Sequence, residues 1–305
     1  MKLLHTYTNG NYNVKIYEDG TKIRMTEDEY FKAEFPENID IKISDKCDMG
    51  CEFCHEGSTL NGNNANFDWA FLNTLKKGTE LAIGGGNVFE NPHLEYFMKR
   101  CVESGIIANL TLHQNHFLSD DYHTSVKKLQ SKRLLHGIGV SYNPSQVDLL
   151  IEKFETDENY KRLKNNCVIH VINGIHSFED IMKLSNMNFK ILFLGYKQLR
   201  RGITFLTKHD FEIQQKQQEI YDNMDTIIKS FKVVSFDNLA IEQINMKRMF
   251  TDEQWEQFYM GDDGQFTMYI DLVKGEYALN STALNRFDMK DNITEMFQHV
   301  NSLRQ

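Results

Sequence analysis

Short apolar runs alternate with helical stretches over most of the chain, and this alternation restricts the folds that it can adopt. Six such runs lie between residues 39 and 196, and a helical pattern follows each of them. Because the runs are apolar on both faces, they predict a parallel sheet with helices outside. Six units are too few for a complete eight-stranded barrel. The runs are IDIKIS, ELAIGGG, IIANLTLH, LLHGIGVSY, CVIHVING and FKILFLGY.

The segments on either side of this array differ from it in pattern. Residues 1–35 predict a β-hairpin extension, because NYNVKIYEDGTKIRM alternates apolar and polar residues around the turn pair Asp19-Gly20. Residues 233–305 predict a small α+β cap with a second hairpin, DDGQFTMYIDLVKGEYAL, and a short helix, DNITEMFQHVNSL. Residues 36–232 form the array itself, and its first helical pattern covers residues 67–77.

Composition limits the classes of function. The chain has 305 residues, 41% of them hydrophobic, which is enough to bury a sizeable core. A net charge of −9 argues against a purely electrostatic grip on nucleic acid. No apolar run approaches the roughly 20 residues of a membrane span, and the first residues turn polar before a secretory apolar core could form. We therefore expect no membrane association and a cytoplasmic protein.

Three of the five cysteines stand close together, directly after the first apolar run. Cys47, Cys51 and Cys54 have the spacing C-x3-C-x2-C within SDKCDMGCEFCHEGS. The carboxyl end of a strand is where sites form in α/β folds, and clustered thiols in such a chain indicate metal or redox chemistry. A structural zinc site needs a fourth ligand, for which His55 is the neighbouring candidate. A 4Fe-4S cluster on three thiolates leaves one iron open for an outside ligand.

A run of three glycines ends the second apolar run. Gly84, Gly85 and Gly86 carry no side chains, so a ligand can approach the backbone closely at this strand end. Asn87 and Glu90 follow the glycines and supply polar side chains near the same place.

The sequence CDMGCEFC after a strand, followed about 30 residues later by GGG at the end of the next, resembles the radical S-adenosylmethionine (radical SAM) superfamily. The resemblance covers residues 36–232 and implies a partial (β/α)6 TIM-type barrel. It implies one 4Fe-4S cluster on Cys47, Cys51 and Cys54, with S-adenosylmethionine at the open iron. Reductive cleavage would then give a 5'-deoxyadenosyl radical that abstracts hydrogen from a substrate. It also implies a flavodoxin or ferredoxin as electron donor.

The resemblance extends to residues that would hold S-adenosylmethionine. The glycine run would hold the methionine amino group, and Asn87 stands where the family has an acidic residue, so Glu90 could share that contact. Lys197, Arg200 and Arg201 follow the sixth run and could meet a carboxylate or phosphate, or form a solvated basic loop. The predicted cofactor contacts are Phe53, Gly84, Gly85, Gly86, Asn87, Ser141, Asn143, Asn173, Gly195 and Tyr196.

The two other cysteines are predicted to be structural. Cys101 falls in an apolar helical pattern, and Cys167 begins the fifth run, at the end away from the expected site. No second cluster with cysteine ligands can therefore be assembled. The substrate stays open between a peptide, a nucleotide and a small acid. Two other functions stay open as well: a zinc-binding interaction module, and a catalytically silent relative, because Asn87 replaces the acid.

Overall fold

The computed structural model describes residues 2–304, which begin with a three-stranded antiparallel sheet. The hairpin predicted around Asp19-Gly20 is confirmed, and a further strand precedes it. Gly20 has φ +89°, a backbone conformation that residues with a side chain rarely adopt, so the turn requires glycine. The strands are β1 (Leu3–Asn9), β2 (Tyr12–Tyr17) and β3 (Lys22–Met25).

A second, ten-stranded sheet contains the predicted parallel array. The strands of this array lie side by side in the order in which they occur along the chain, and each is parallel to the strand before it. The six predicted runs are all present, and a seventh parallel strand from the C-terminal segment extends them. The strands are β4 (Asn38–Ser44), β5 (Glu80–Gly85), β6 (Ile107–His113), β7 (Gly137–Ser141), β8 (Cys167–Ile172), β9 (Lys190–Leu194) and β10 (Val233–Phe236).

Helices connect these strands, as the alternation predicts. One expectation is wrong: residues 67–77 form only a 3₁₀ turn (Ala70–Asn73) between β4 and β5. The C-terminal helix begins against this turn, because the backbone N–H of Ile293 donates to Thr74 Oγ1 at 2.9 Å. The connecting helices are α1 (Leu94–Glu103), α2 (Gln114–Leu118), α3 (Asp120–Ser131), α4 (Val147–Thr156), α5 (Glu158–Leu163), α6 (Phe178–Met182) and α7 (Arg201–Ser230).

The C-terminal segment completes the sheet on its other side. Strand β11 (Thr267–Asp271) lies parallel to β4, and the predicted hairpin is the antiparallel pair that it forms with β12 (Glu276–Ala278). The sheet therefore has eight parallel strands, two of them from the segment expected to be a cap. The remaining elements are α8 (Asn238–Ile244), α9 (Asp252–Phe258), β13 (Phe287–Asp288) and α10 (Ile293–Ser302).

The two faces of β4 differ in a way that matters for function. Ile39, Ile41 and Ile43 are at most 2% exposed and belong to the main apolar core. The alternate residues of the strand face the interior of the curved sheet, where Asp40 and Lys42 line a cavity. The barrel thus has its apolar core outside the sheet and polar groups inside it.

None of the helices in the described part of the chain combines the length and hydropathy that crossing a bilayer requires.

A buried ion cluster joins the N-terminal sheet to the barrel. The Glu37 carboxylate has a fully buried side chain and pairs with Lys22 at 3.2 Å and Arg24 at 2.8 Å. The Tyr12 hydroxyl donates to the same carboxylate at 2.6 Å. Burial alone would raise the pKa of Glu37, but Lys22, Arg24 and the Tyr12 hydrogen bond outweigh it and lower that pKa.

We predict that Glu37→Gln lowers the free energy of unfolding at pH 7 by about 3 kcal/mol, because it leaves the Arg24 guanidinium without a counter-charge and leaves Lys22 with Glu80 alone. Since the pKa of Glu37 is lower in the folded than in the unfolded chain, this contribution is present above about pH 4 and is lost as the pH falls further. Urea unfolding across that pH range measures it.

The control is Glu18→Gln, which removes an exposed ion pair with Lys2 and should change the unfolding free energy little. An equal loss in the two variants would contradict the importance of the buried cluster.

Candidate functional site

The interior of the open barrel is a cavity of about 740 Å³, within the usual size range of ligand pockets. It extends from the N-terminal hairpin, at the amino ends of the strands, to the loops at their carboxyl ends. The thiols of Cys47, Cys51 and Cys54 all belong to its lining at the carboxyl end. The three cysteines are thus half-buried residues around one opening.

The loop that carries the cysteines, residues 45–58, is folded back on itself. The Cys47 N–H donates to the Thr59 carbonyl at 2.9 Å, and the Thr59 N–H donates to the Asp45 carbonyl at 3.0 Å. Gly57 has φ +65°, and a Cβ there would lie 2.9 Å from the Arg200 side chain. These backbone contacts define the path of the cysteine loop.

Two arginines from the start of α7 fasten the cysteine loop. Arg201 donates to the carbonyls of Cys51 at 3.0 Å and Ser58 at 2.9 Å. Arg200 donates to the carbonyl of His55 at 2.7 Å. We had expected these arginines either to meet an anionic ligand or to be solvated, and the structure instead places them on loop carbonyls.

Two further contacts hold the loop from other sides. His116, in the short helix α2 that follows β6, contacts Asp48 through Nε2 and Oδ1 at 2.6 Å. Phe53 packs edge-to-face on Phe205 of α7, with ring centroids 5.9 Å apart. The loop is therefore held between α2 and α7.

A buried lysine lies beneath the cysteine loop. Lys42 is 2% exposed, and its ammonium contacts Glu56 at 2.9 Å, Asp271 at 3.3 Å and Asp45. These carboxylates belong to the loop and to β11, so one ammonium connects the barrel, the loop and the C-terminal segment. Burial opposes ionisation of Glu56, but hydrogen bonds from His55 and Lys42 hold the pKa of that carboxyl well below its usual range.

Two of the thiols, those of Cys47 and Cys51, have raised pKa values. Burial raises the pKa of Cys51 to about 11 and raises that of Cys47, and neighbouring cysteines add to the shift of Cys51. Such thiols stay protonated near neutral pH unless a metal displaces the proton.

The glycine run pairs directly with the cysteine loop. The Gly86 N–H donates to the Ser44 carbonyl, and the Asn87 N–H donates to the Lys46 carbonyl, both at 2.7 Å. A Cβ at Gly86 would lie 2.4 Å from the Lys46 carbonyl oxygen. The two motifs that sequence singled out are therefore in backbone contact, and only glycine allows that approach.

The predicted site residues divide into two groups. One group lines the cavity beside the thiols: Phe53, Gly84, Gly85, Gly86 and Ser141. The other group lies behind the cavity wall and makes contacts within the protein: Asn87, Asn143, Asn173, Gly195 and Tyr196.

The side chains of the second group make hydrogen bonds within the protein. Asn87 accepts from the Phe89 N–H at 3.2 Å, and Asn143 accepts from the Ser145 N–H at 3.2 Å, so both cap short turns. The Tyr196 hydroxyl donates to the Gly202 carbonyl at 2.7 Å. Glu90 pairs with Lys46 at 2.7 Å rather than facing the cavity.

The closed zinc site is not formed by the described residues. His55, the expected fourth ligand, directs Nε2 to Glu56 at 3.3 Å. Within residues 2–304, no three His, Cys, Asp or Glu side chains converge on one ion position. The thiolates of a cluster bind different irons and need no such convergence.

Sequence reasoning missed the polar residues inside the barrel. Asp40 and Thr111 line the cavity from strands, and Ser281 reaches it from the C-terminal segment. The signal was present in β4, where Asn38, Asp40 and Lys42 alternate with isoleucines. That alternation indicates a strand with one polar face, which the interpretation as a doubly apolar run overlooked.

No family model matches the sequence, and no curated protein does. Solved structures do match, among them Streptococcus suis SuiB bound to S-adenosylmethionine, with TM-score 0.58 and 13% identity over 91% of this chain and 82% of SuiB. SuiB bound to the precursor peptide SuiA matches with TM-score 0.53 and 16% identity over 81% of this chain and 60% of that one.

The enzyme anSMEcpe with bound AdoMet matches with TM-score 0.51 and 16% identity over 87% of this chain and 77% of that one. SuiB and anSMEcpe are radical SAM enzymes. The chain therefore has their fold, which confirms the fold that the resemblance implied.

We predict that Gly85→Ala destabilises the chain by about 1–3 kcal/mol in urea unfolding, because φ +114° is strained for alanine and its Cβ would lie 2.4 Å from the Ser44 carbonyl. Gly50→Ala is the matched control, since φ is also positive there but nothing lies within 4 Å of the added carbon. Equal losses would show that the close approach of the two motifs contributes nothing.

Proposed function

We propose that this chain is a radical SAM enzyme with one 4Fe-4S cluster on Cys47, Cys51 and Cys54. The observation that carries the proposal is the direct pairing of the cysteine loop with the glycine run at one mouth of a large cavity. The fold that the chain shares with SuiB and anSMEcpe supports it.

The residues present fit such a cluster. Three cysteines line one opening, and the neighbouring imidazoles of His55 and His116 contact Glu56 and Asp48, so the fourth position is left to an outside ligand. When bound and reduced, the cluster supplies the electron that cleaves S-adenosylmethionine to methionine and a 5'-deoxyadenosyl radical, which abstracts hydrogen from the substrate. Arg200 and Arg201 fix the loop carbonyls around it.

The residues that would hold S-adenosylmethionine form two layers, one in direct contact with it and one behind. We assign direct contact to Phe53, the glycine run and Ser141, because these residues line the cavity beside the thiols. Asn87, Asn143, Asn173, Gly195 and Tyr196 are assigned to the second layer, where they hold the strand ends in place.

The reaction also needs an electron and a substrate. A flavodoxin or ferredoxin would supply the electron, and a reducing cytoplasm would suit the cluster. SuiB binds a precursor peptide, which supports a peptide substrate, and a nucleotide or small acid stays open beside it. The radical must be shielded from water, and a substrate that fills the barrel interior would exclude water from it.

Anaerobic reconstitution with iron and sulfide tests the proposal. The protein should turn brown, and after reduction it should convert S-adenosylmethionine to 5'-deoxyadenosine. A colourless protein that retains zinc would instead support an interaction module. A brown protein that leaves S-adenosylmethionine intact would support a catalytically silent relative.

We predict that Cys51→Ala loses both the brown colour and 5'-deoxyadenosine formation, because the cluster loses one of its three protein ligands. Iron analysis and the visible spectrum measure this. Cys101→Ala serves as the control, since Cys101 is buried in α1 and should be needed only for packing. An unchanged spectrum in Cys51→Ala would show that the ligand assignment is wrong.

We predict that Gly84→Ala folds normally but binds S-adenosylmethionine roughly tenfold or more weakly. Its added carbon would meet only Thr111 Cβ at 3.8 Å, an ordinary contact, and would project into the cavity. Thermal unfolding checks the fold, and equilibrium binding to the reconstituted protein measures the affinity. Undiminished affinity would remove the glycine run from the cofactor site.

A further inference from the structure

The barrel interior is hollow one layer below the proposed cofactor level. Parallel barrels usually fill this layer with bulky branched side chains. Here five of the six inward positions carry small or polar residues, and each of the six lies two residues before a cavity-lining residue at the carboxyl end of its strand, about 7 Å lower. We call this layer the central chamber; it consists of Asp40, Ala82, Thr111, Gly139, His170 and Leu192.

Glycine makes room for a histidine in the central chamber. A Cβ at Gly139 would lie 2.4 Å from Cε1 of His170, so the imidazole occupies space that any side chain on β7 would take. Burial and the nearby Lys197 ammonium lower the pKa of His170 to about 4. His170 is therefore a neutral imidazole that can both donate and accept a hydrogen bond.

Two opposite charges face the chamber without an ionic partner. Among residues 2–304, the Asp40 carboxyl makes no hydrogen bond or ion pair, and the Lys197 ammonium donates only to the neutral Ser281 hydroxyl, at 2.9 Å. Asp40 is exposed to the cavity and Lys197 is half-buried, so both charged groups are accessible to a ligand that enters the chamber.

The other lysine at this end of the cavity shows the contrast. Lys42 already contacts three carboxylates, so it has no free charge to offer a ligand. Lys197 is thus the cation available at the chamber, and Asp40 balances it. A chamber with one accessible cation and one accessible carboxyl disfavours a polyphosphate and favours a ligand that carries one negative charge beside a hydrogen-bond donor.

We propose that the central chamber binds a substrate end that carries a carboxylate together with an amino or hydroxyl group. The carboxylate pairs with Lys197, the amino or hydroxyl group donates to Asp40, and His170 supplies a neutral hydrogen-bonding partner. This end belongs either to a free amino or hydroxy acid or to the C-terminal residue of a peptide, whose amide N–H then donates in place of the amino group. The inference rests on the proposed function, because it places the substrate beneath S-adenosylmethionine.

Equilibrium binding to the reconstituted protein with S-adenosylmethionine present tests the inference. The probes are free α-amino acids, their 2-hydroxy analogues, and short peptides with the same last residues as free acids or as C-terminal amides. We expect at least one probe with a free carboxylate to bind, and the peptides that end in an amide to bind weakly or not at all. If only the single amino or hydroxy acids bind, the ligand is a small molecule. If only the peptides with a free carboxylate bind, the ligand is a peptide terminus.

Variants separate the chamber from the rest of the cavity. Lys197→Met and Asp40→Asn should each weaken binding of the best probe roughly 10- to 100-fold, the effect of losing a hydrogen bond to a charged group. Lys190→Met is the matched control, because Lys190 lines the other end of the same cavity and donates to the Asp19 carbonyl. It should leave probe binding unchanged.

Two results would overturn the inference: no free-acid probe binds the wild-type protein, or acids and amides bind equally well. Undiminished binding in both Lys197→Met and Asp40→Asn would do so too. Formation of 5'-deoxyadenosine without any probe is measured in parallel. Its presence without probe binding defeats the chamber assignment alone, whereas its absence defeats the proposed function.

Discussion

The backbone pairing between the cysteine loop and the glycine run is the constraint on which the rest of the site depends. It joins the ends of β4 and β5 through two short hydrogen bonds and brings both motifs to one cavity mouth. Arg200, Arg201 and His116 then hold the loop from the start of α7 and from α2. Contacts within the protein thus define the path of the loop.

Polar groups inside the barrel determine what that site can act on. Lys42 forms ion pairs with carboxylates of the loop and of β11, whereas Lys197 and Asp40 face the open cavity. The same strand, β4, therefore serves both purposes: its carboxyl end supports the loop, and its middle faces the chamber. Placing the substrate inside the barrel would keep the radical away from water.

The sequence predicted the architecture well and the second layer of the site poorly. The parallel strands, both hairpins and the place of the thiols follow from local patterns, which periodicity and spacing report directly. Strand β11 was missed as a parallel neighbour of β4, because pairing over more than 200 residues leaves no local signal. Arg200 and Asn87 were expected to contact a ligand. Instead, Arg200 donates to a backbone carbonyl of the cysteine loop, and Asn87 Oδ1 accepts from the backbone N–H of Phe89. Such competition is visible only once the loops are folded.

Electron paramagnetic resonance of the reduced, reconstituted protein, recorded with and without S-adenosylmethionine, tests the central claim most directly. The account predicts the signal of one 4Fe-4S cluster and a change in that signal when S-adenosylmethionine is added, because the ligand occupies an iron position that the chain leaves vacant. A cluster signal that S-adenosylmethionine does not alter, or a protein that binds no cluster on these cysteines, would contradict it.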